Sequence, residues 1–262
     1  MTGHKKTEEE IRIMTEGGKR LGTILKKLLA EVKIGVAPLQ IDALAQKLIQ
    51  EAEGSPSFTT VRDYKWATCI NVNDVVVHGI PTNVPFVESD VVGVDVGLFY
   101  KEYHTDTAWT VFVRKQKTED GGPIAEDRKQ REKFLKIGEE ALWKAINQAR
   151  VGKRIGDISE AIQKTVEGAG YSVVKNLVGH GVGKKLHESP QIPGIVTRPI
   201  EKTLPFEKGM VIAIEVIYNE GQPEIVYKNT DGWTLVTSDG SLSGVFEHTL
   251  VITEKEPIVL TQ

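Results

Sequence analysis

The sequence predicts an α+β fold built from two related halves. Two helical patterns followed by strand patterns precede a charged stretch, and the same order returns after it. A shift of 120 residues places VVGVD at 91–95 on VIAIE at 211–215. A shift of 117 residues aligns a further set of positions: Gly35 with Gly152, Ile41 with Ile158, and Ala52 with Ala169. These matches indicate an internal duplication, and we expect one catalytic domain, 1–262, with halves at about 7–113 and 131–253.

The first half begins with two helices. Thr7 and Glu10 have the spacing of a capping box, and the apolar residues that follow recur at helical spacing, which predicts a helix over 7–32. A second helix is expected over 39–53. The remainder of this half, 67–113, alternates in the way that is typical of strands.

The second half repeats this order after a linker. Residues 114–130 are charged and contain Gly-Gly-Pro, which predicts a connecting segment. Helices are expected at about 131–150 and 156–168. Strand patterns then recur at five places: 172–178, 210–218, 224–228, 233–237 and 245–253.

The hairpin predicted within 94–110 carries one aspartate in each strand. If its turn centres between Tyr100 and Lys101, Asp95 and Asp106 lie directly opposite each other, with Cβ atoms about 5 Å apart. With period-two alternation, the aspartates share a face with glycines and the other face is apolar: Gly93 and Gly97 on the first, Val92, Val94, Val96 and Leu98 on the second. Facing buried carboxylates are unfavourable. Either the register differs, or a cation lies between them.

Two further acids and a histidine extend this pattern. Glu215 and Glu247 also lie in or beside apolar strands, and His180 stands between glycines in VGHGVG. A single such acid is as well explained by an exposed strand face, and such a histidine by a flexible loop. Four acids at matching places in two half-repeats, Asp95 and Asp106 included, favour a shared site. This oxygen-rich ligand set suits two divalent ions such as Mn²⁺, Fe²⁺ or Co²⁺ better than a structural zinc site.

Bulk composition excludes several function classes. The net charge of −3 gives no general attraction to DNA or to anionic membranes. One cysteine, Cys69, precludes an internal disulfide and fits a reducing compartment. The sequence has no apolar run of membrane-spanning length and no signal-peptide core at its polar start. We therefore expect a cytoplasmic protein.

The motifs as a set resemble the type I, bacterial-like methionine aminopeptidases over nearly the whole chain. The stretches that carry the resemblance are NVNDVVVHGIP (71–81), VDVG with HTDT (94–107), VGHGVGKKLHESP (178–190), GMVIAIE (209–215), DGWTLVT (231–237) and SLSGVFEHTLVIT (241–253). The resemblance implies the pseudo-two-fold pita-bread fold, with antiparallel sheets covered by helices. It also implies removal of the N-terminal methionine from nascent proteins and peptides whose second residue is small.

The resemblance further implies roles for individual residues. Asp95 would hold the first metal ion, His180 and Glu215 the second, and Asp106 and Glu247 would bridge the two, with Mn, Fe, Co or Zn as the metal. His78 and His187 would contact the substrate and stabilise the tetrahedral intermediate. Glu247 would pass a proton to the leaving amine after attack by a hydroxide that the two metal ions activate. The methionine pocket is expected near four further residues: Phe58, Tyr64, Cys69 and Trp233.

Some features depart from the family pattern. Val216 replaces the usual proline, Leu186 replaces an aromatic residue, and 188–196 lacks the usual sequence. The resemblance therefore does not define the shape of the methionine pocket. Trp66 is a candidate replacement aromatic, although a strand-edge tryptophan explains it equally well. Prolidase-type enzymes share this scaffold and its ligands but usually carry an extra N-terminal domain, and a non-catalytic binding module would normally have lost ligands.

Partners beyond the substrate are less defined by the sequence. Basic clusters at 114–117 and 128–133 suggest a transient ribosome contact, but a solvated linker is the better interpretation because acids are interspersed. We expect a monomer.

Overall fold

The computed structural model describes residues 4–114, 123–229 and 231–262. Within them, four α-helices are present: α1 Glu8–Ala30, α2 Pro38–Glu51, α3 Pro123–Ile146 and α4 Ile155–Gly168. The strands of the first half are β1 Ser55–Pro56, β2 Thr68–Val72, β3 Val75–Val77, β4 Val91–Tyr100 and β5 Tyr103–Phe112. Those of the second half are β6 Ser172–Val173, β7 Val178–Gly181, β8 Glu188–Pro193, β9 Val211–Asn219, β10 Ile225–Tyr227, β11 Leu235–Thr237, β12 Ser243–Val251 and β13 Ile258–Val259.

One large antiparallel sheet organises the molecule. Its main path runs β1-β4-β5-β12-β9-β7-β8, so the long hairpin of the first half (β4 and β5) meets the long strands of the second half (β12 and β9) at its centre. A smaller sheet has the order β10-β11-β3 and therefore takes strands from both halves. The α+β prediction with antiparallel sheets is confirmed.

The helices cover one face of the large sheet. The first two helices bury their apolar sides against β4, and α3 and α4 do the same against β9 and β12. In β4, the side chains that enter this core are Val92, Val94, Val96, Leu98 and Tyr100, which follow the predicted alternation. The opposite face of the sheet therefore carries Asp95 and its neighbours, away from the helices.

The predicted start of the first helix is confirmed in detail. The Thr7 hydroxyl accepts a hydrogen bond from the backbone N–H of Glu10 at 3.2 Å, and the Glu10 carboxylate accepts one from the backbone N–H of Thr7 at 2.8 Å. These two bonds satisfy N–H groups that a helix leaves unpaired at its start.

The register of the central hairpin differs from the prediction. Tyr100 pairs with Tyr103, so the turn consists of Lys101 and Glu102, whose φ angles are 46° and 70°. Two successive residues with positive φ form the turn that best matches strand twist in a two-residue hairpin. Asp95 consequently lies opposite Ala108, and Asp106 opposite Gly97. The prediction of directly opposed aspartates was wrong, whereas their shared face is confirmed because the pairing moved by an even number of residues.

Several element boundaries also differ. Helix α3 begins at Pro123, so residues 123–130 of the expected linker are helical, and 115–122 lie outside the described residues. The expected strand at 172–178 is two short strands, β6 and β7, separated by four residues. Strand β8 follows His187 in a stretch where no strand was expected.

Candidate metal centre

Strand pairing brings three of the four predicted acids into one row across the large sheet. Asp95 pairs with Ala108, Ala108 with Glu247, and Glu247 with Glu215. Adjacent strands lie about 4.8 Å apart, so residues in such a row are neighbours on one face. Because Ala108 is the small member, space remains between the carboxylates of Asp95 and Glu247.

The next row of the sheet contributes the other two predicted residues. Asp106 lies two residues from Ala108 on β5, and His180 pairs with Ala213, which lies two residues from Glu215 on β9. Residues two apart on a strand point to the same face. All five residues therefore converge on one side of the sheet, with two acids supplied by each half.

These side chains form the floor of a cavity of about 160 Å³. Ligand atoms of Asp106, His180 and Glu247 all lie within 4.8 Å of one another. The remaining lining is largely apolar and comes from both halves: Phe58, Val61, Tyr64, Cys69, Val77, His78, Leu186, His187, Trp233 and Val245. An acidic floor thus meets an apolar wall in one enclosed space.

The carboxylates of the floor are electrostatically uncompensated. Burial and mutual repulsion raise the pKa of Asp95 and that of Glu247 well above the usual range for carboxyl groups. Burial is the main cause that raises the pKa of Asp106 to about 7 and the pKa of Glu215 to about 8. Asp95 Oδ1 and Glu247 Oε1 are buried and have no hydrogen-bond partner among the described residues. Groups in this state require a counter-charge, so the residues fit bound cations.

His180 is held in a form that suits a metal ligand. Its Nδ1 lies 2.9 Å from the carbonyl oxygen of Gly181, and its Nε2 lies 3.5 Å from Glu215 Oε1. Burial lowers its pKa to about 4, so the imidazole is neutral near pH 7. A neutral ring that donates its Nδ1–H to the carbonyl leaves the Nε2 lone pair directed toward the acids.

The glycines on either side of His180 are required by close backbone approach. A Cβ at Gly179 would lie 2.5 Å from the carbonyl oxygen of Ala213, and one at Gly181 would contact the carbonyl of Ser189. Side chains at these positions would force β7 away from β9 and β8. The glycines therefore bring His180 close to the row of acids.

His78 and His187 stand at the open side of the cavity, where both are solvent-exposed. The His187 ring lies 4.4 Å from the His180 ring, and the His78 ring lies 6.3 Å from that of Trp233 (centroid distances). Both histidines have lowered pKa values, chiefly from partial desolvation, so both are neutral near pH 7. A neutral imidazole still offers one N–H donor.

The backbone at His78 is unusual and is held by Asn71, a residue that the sequence reasoning missed. His78 has a φ of 56°, which a non-glycine residue seldom adopts. The N–H of Gly79 donates to Asn71 Oδ1 at 2.9 Å, and the carbonyl of Gly79 accepts from the N–H of Ile70 at 2.9 Å. The signal available in the sequence was a polar residue within the apolar strand that precedes VVVHGI.

The residues expected near the methionine pocket lie together. Phe58, Tyr64, Cys69 and Leu186 form a buried cluster, and Trp233 packs on Tyr64 with ring centroids 5.0 Å apart. Burial beside Asp95 raises the pKa of the Cys69 thiol, so it remains protonated. These contacts make Cys69 a wall residue and not a thiolate.

The departures from the family pattern fall in different places. Leu186 lines the cavity, so it affects the shape of the pocket directly. Val216 is fully buried in the core on the helix side of the sheet, away from the cavity. Trp66 packs behind Tyr64, with ring centroids 5.4 Å apart, and is not among the described residues that line the cavity.

Comparisons with known proteins agree with this site. The model of metallopeptidase family M24 matches residues 12–254. The chain belongs to metallopeptidase family M24. As an M24 member, it is 38% identical over 257 residues to methionine aminopeptidase 1 of Bacillus subtilis, with 98% of each chain covered. It is also 38% identical to a methionine aminopeptidase of Clostridium perfringens, covering 98% of this chain and 97% of that one.

Solved structures place this M24 chain in the pita-bread fold. A methionine aminopeptidase from Thermotoga maritima superposes with a TM-score of 0.91 at 36% identity, and all of both chains is covered. A prolidase from Pyrococcus horikoshii has a TM-score of 0.74 at 22% identity and covers 98% of this chain but 63% of the prolidase. The prolidase likeness shows a shared fold alone. None of the helices in the described part of the M24 chain is both long and apolar enough to cross a membrane.

Proposed function

We propose that this metallopeptidase is a methionine aminopeptidase that removes the N-terminal methionine from peptides and nascent proteins with a small second residue. The observation that carries the proposal is the enclosed cavity with four uncompensated carboxylates and His180 on its floor and an apolar wall above them. The full-length likeness to methionine aminopeptidases at up to 38% identity supports the substrate.

We assign two divalent metal ions to the five floor residues. Asp95 would hold one ion, His180 and Glu215 the other, and Asp106 and Glu247 would serve both. When bound, such a pair supplies an activated water and polarises the carbonyl of the substrate. The mixture of carboxylate and imidazole ligands favours first-row ions such as Mn²⁺, Fe²⁺, Co²⁺ or Zn²⁺.

The apolar wall explains preference for methionine. Phe58, Tyr64, Cys69, Leu186 and Trp233 offer a closed space for one flexible thioether side chain, and sulfur contacts with aromatic rings are favourable. A free α-amino group could coordinate an ion held on the floor, whereas the amide nitrogen within a chain could not. The site would therefore select the first residue of a chain and act as an exopeptidase.

Residues around the cavity would also stabilise the negative charge that develops during the reaction and transfer a proton. His78 and His187 stand at the mouth of the cavity, where they would donate hydrogen bonds to the carbonyl oxygen of the substrate as negative charge develops there. Removal of one such hydrogen bond lowers kcat by roughly 10²–10³. Glu247, which lies on the cavity floor, would carry the proton to the leaving amine.

We further propose that the chain acts as one domain and as a monomer in the cytoplasm. The single cysteine, Cys69, is free and buried, which fits a reducing compartment. The helical residues 126–133 carry basic groups that could approach the ribosome transiently. Their ion pairs, such as Arg131 with Asp127 at 2.9 Å, favour a solvated surface instead.

A direct assay decides between this function and its alternatives. The metal-free protein, prepared with EDTA, should be inactive, and added Mn²⁺ or Co²⁺ should restore cleavage of Met-Ala-Ser between its first two residues. An Xaa-Pro dipeptide should remain intact. Cleavage of only the Xaa-Pro peptide would indicate a prolidase, and no cleavage of either under any metal would indicate a binding module.

A further inference from the structure

A second, basic cavity opens beside the metal centre. It has a volume of about 750 Å³ and shares His187 with the first cavity. Its walls come from three places: the segment before α1 with the first turn of that helix, the loop between β7 and β8 with the start of β8, and the hairpin end of β5. The lining residues are His4, Lys5, Lys6, Glu10, Tyr103, Lys184, Lys185, His187, Glu188 and Ser189. We refer to it as the basic groove.

The charges in the basic groove are only partly compensated. Lys6 forms an ion pair with Glu188 at 2.6 Å, with both side chains largely buried, and Lys5 pairs with Glu207. Lys184 and Lys185 are exposed and form no ion pair with any residue that the structure describes. Four lysines and two glutamates line the groove, and Glu207 outside the lining pairs with Lys5, so one net positive charge remains.

Glu10 forms no ion pair with these two lysines in the described part of the chain, although the hydrogen bond from the Thr7 backbone and, to a smaller extent, the positive charge of Lys184 hold the pKa of the Glu10 carboxyl below its usual range. Its carboxylate is already engaged, since it accepts hydrogen bonds from the Tyr103 hydroxyl at 2.8 Å and from the backbone N–H of Thr7 at 2.8 Å. Lys184 instead lies over the Tyr103 ring, 5.8 Å from its centroid. The ammonium groups of Lys184 and Lys185 remain available to an incoming anion.

The position of the groove identifies the chemistry of its occupant. If the first residue of a substrate fills the apolar cavity and its carbonyl meets His78 and His187, the rest of the chain leaves past these histidines. Among the cavities described, the basic groove is the one that shares His187 with the metal centre. An extended chain advances about 3.3–3.6 Å per residue, so we expect the residues after the second one to enter the groove that begins at His187.

We infer that the basic groove binds the downstream segment of the substrate and favours peptides with acidic side chains there. The inference rests on the proposed function, because it assumes that a peptide is anchored at the metal centre. Solvent-exposed ion pairs are worth a few-fold each in affinity. We therefore expect a several-fold preference in kcat/KM, and not an absolute requirement.

The test uses three peptides that differ only at positions four and five: Met-Ala-Ser-Glu-Glu, Met-Ala-Ser-Gln-Gln and Met-Ala-Ser-Lys-Lys. With the metal-loaded enzyme at about 0.01 M salt, kcat/KM should fall in that order. At about 1 M salt, where the Debye length is about 3 Å, the three values should converge. The double variant Lys184→Gln/Lys185→Gln should lose most of the difference between the peptides.

A matched control removes the same charge elsewhere. Lys47 and Lys164 lie on α2 and α4 with 72% of each side chain exposed, on the helix side of the sheet. The double variant Lys47→Gln/Lys164→Gln should retain the full preference, which separates a local effect from a change in net charge.

Two outcomes would overturn the inference. One is equal kcat/KM for the three peptides in the wild-type enzyme at low salt. The other is a preference for the acidic peptide that survives in Lys184→Gln/Lys185→Gln. If that variant had instead lost affinity for an RNA oligonucleotide, the two lysines would bind RNA and not the substrate. Failure of the proposed function gives a different result, because the Gln-Gln peptide would then not be cleaved at all.

Discussion

At the scale of single residues, small side chains decide what the acids can bind. Ala108 separates Asp95 from Glu247 in one row of the sheet, and Gly97 lies opposite Asp106 in the next. A larger residue at position 108 would fill the space between two carboxylates, and one at position 97 would meet Ser57 and Phe58. A Cβ at Gly97 would already lie 2.7 Å from Ser57 Cβ. The acidic cluster is therefore an arrangement of acids together with the small residues between them.

His180 and His187 should respond differently to replacement by alanine. His180 lies with its Nε2 toward Glu215, so His180→Ala should bind fewer metal ions or bind them less tightly. His187 stands at the mouth, so His187→Ala should keep its metal and lose roughly 10²–10³ in kcat, the scale of one transition-state hydrogen bond. Calorimetric metal titration beside kinetics on Met-Ala-Ser measures both. Metal loss in His187→Ala with retention in His180→Ala would reverse the two roles.

Asn71 is expected to act through His78. Asn71→Ala removes the acceptor for the N–H of Gly79 and leaves that buried donor unpaired, which costs about 1–3 kcal/mol and loosens the strained turn at His78. We expect a lower kcat, with metal content unchanged.

The double-mutant cycle with His78→Ala is the deciding measurement. In the His78→Ala background the further replacement of Asn71 should have little effect on kcat, since the residue that it positions is already absent. Equal losses in both backgrounds would mean that Asn71 supports the fold generally and does not position His78.

At the scale of elements, helix α1 depends on glycines for its contact with the C-terminal segment. A Cβ at Gly18 would lie 2.5 Å from the carbonyl oxygen of Leu260, and one at Gly22 would lie 2.6 Å from that of Thr261. Leu260 and Thr261 are both buried. The helix and this segment therefore meet backbone to backbone, a distance that only glycine permits here.

Replacing these glycines should destabilise the protein although alanine is the better helix former. Gly→Ala in a helix gains roughly 0.5–1 kcal/mol, whereas overpacking costs about 1–3 kcal/mol. Gly18→Ala and Gly22→Ala should thus lower the free energy of unfolding. Gly168 ends α4, and a Cβ there would have no neighbouring atom within 4 Å, so Gly168→Ala is the control and should not lower it. Urea unfolding of the three variants gives the comparison, and equal midpoints would contradict the steric account.

At the scale of the whole molecule, the two halves meet at the acids. Each half supplies two carboxylates to the same face of one sheet, and β5 and β12 form the seam between them. Without cations, ionisation of these buried carboxyl groups opposes folding. Metal binding should therefore contribute to stability as well as to catalysis.

The metal-free protein should lose stability as the pH rises from about 7 to about 8. The folded pKa values of Asp106 and Glu215, about 7 and about 8, lie above the ordinary values of 3.8 and 4.5. Such groups stabilise the folded state fully below their ordinary pKa, and this contribution is lost as the pH rises through the folded pKa. Each pKa unit corresponds to about 1.4 kcal/mol.

The pH window avoids an opposing effect from histidines. Burial lowers the pKa of His104, His180 and His248 to about 4 from 6.5, so these groups add stability as the pH rises toward 6.5 and nothing above it. Urea midpoints of EDTA-treated protein should therefore fall between about pH 7 and about pH 8. Saturating Mn²⁺ should flatten this dependence, and metal-free Asp106→Asn should show less of it. A metal-free midpoint that rises over this range would contradict the account.

Local patterns in the sequence determined the composition of the floor and the order of elements. Period-two alternation fixes which residues of one strand share a side, and the common face of Asp95 and Asp106 follows for any register that differs from the predicted one by an even number of residues. The half-repeat likewise predicts that Glu215 and Glu247 occupy positions in the second half that match those of Asp95 and Asp106 in the first. The capping pattern at Thr7 and the family motifs depend on short spacings, and these too can be read directly from the chain. The ligand roles of individual acids stay predictions.

Tertiary structure alone decided which residues became neighbours. Lys101 and Glu102 carry no glycine signal for a turn of two positive φ angles, so the hairpin register was not predictable from local preference. The support of His78 by Asn71 requires β2 to meet a turn eight residues further on, and the basic groove requires the chain start to meet the loop before His187. A side chain's own neighbours in sequence set its direction, but only the packing of distant segments sets what it touches.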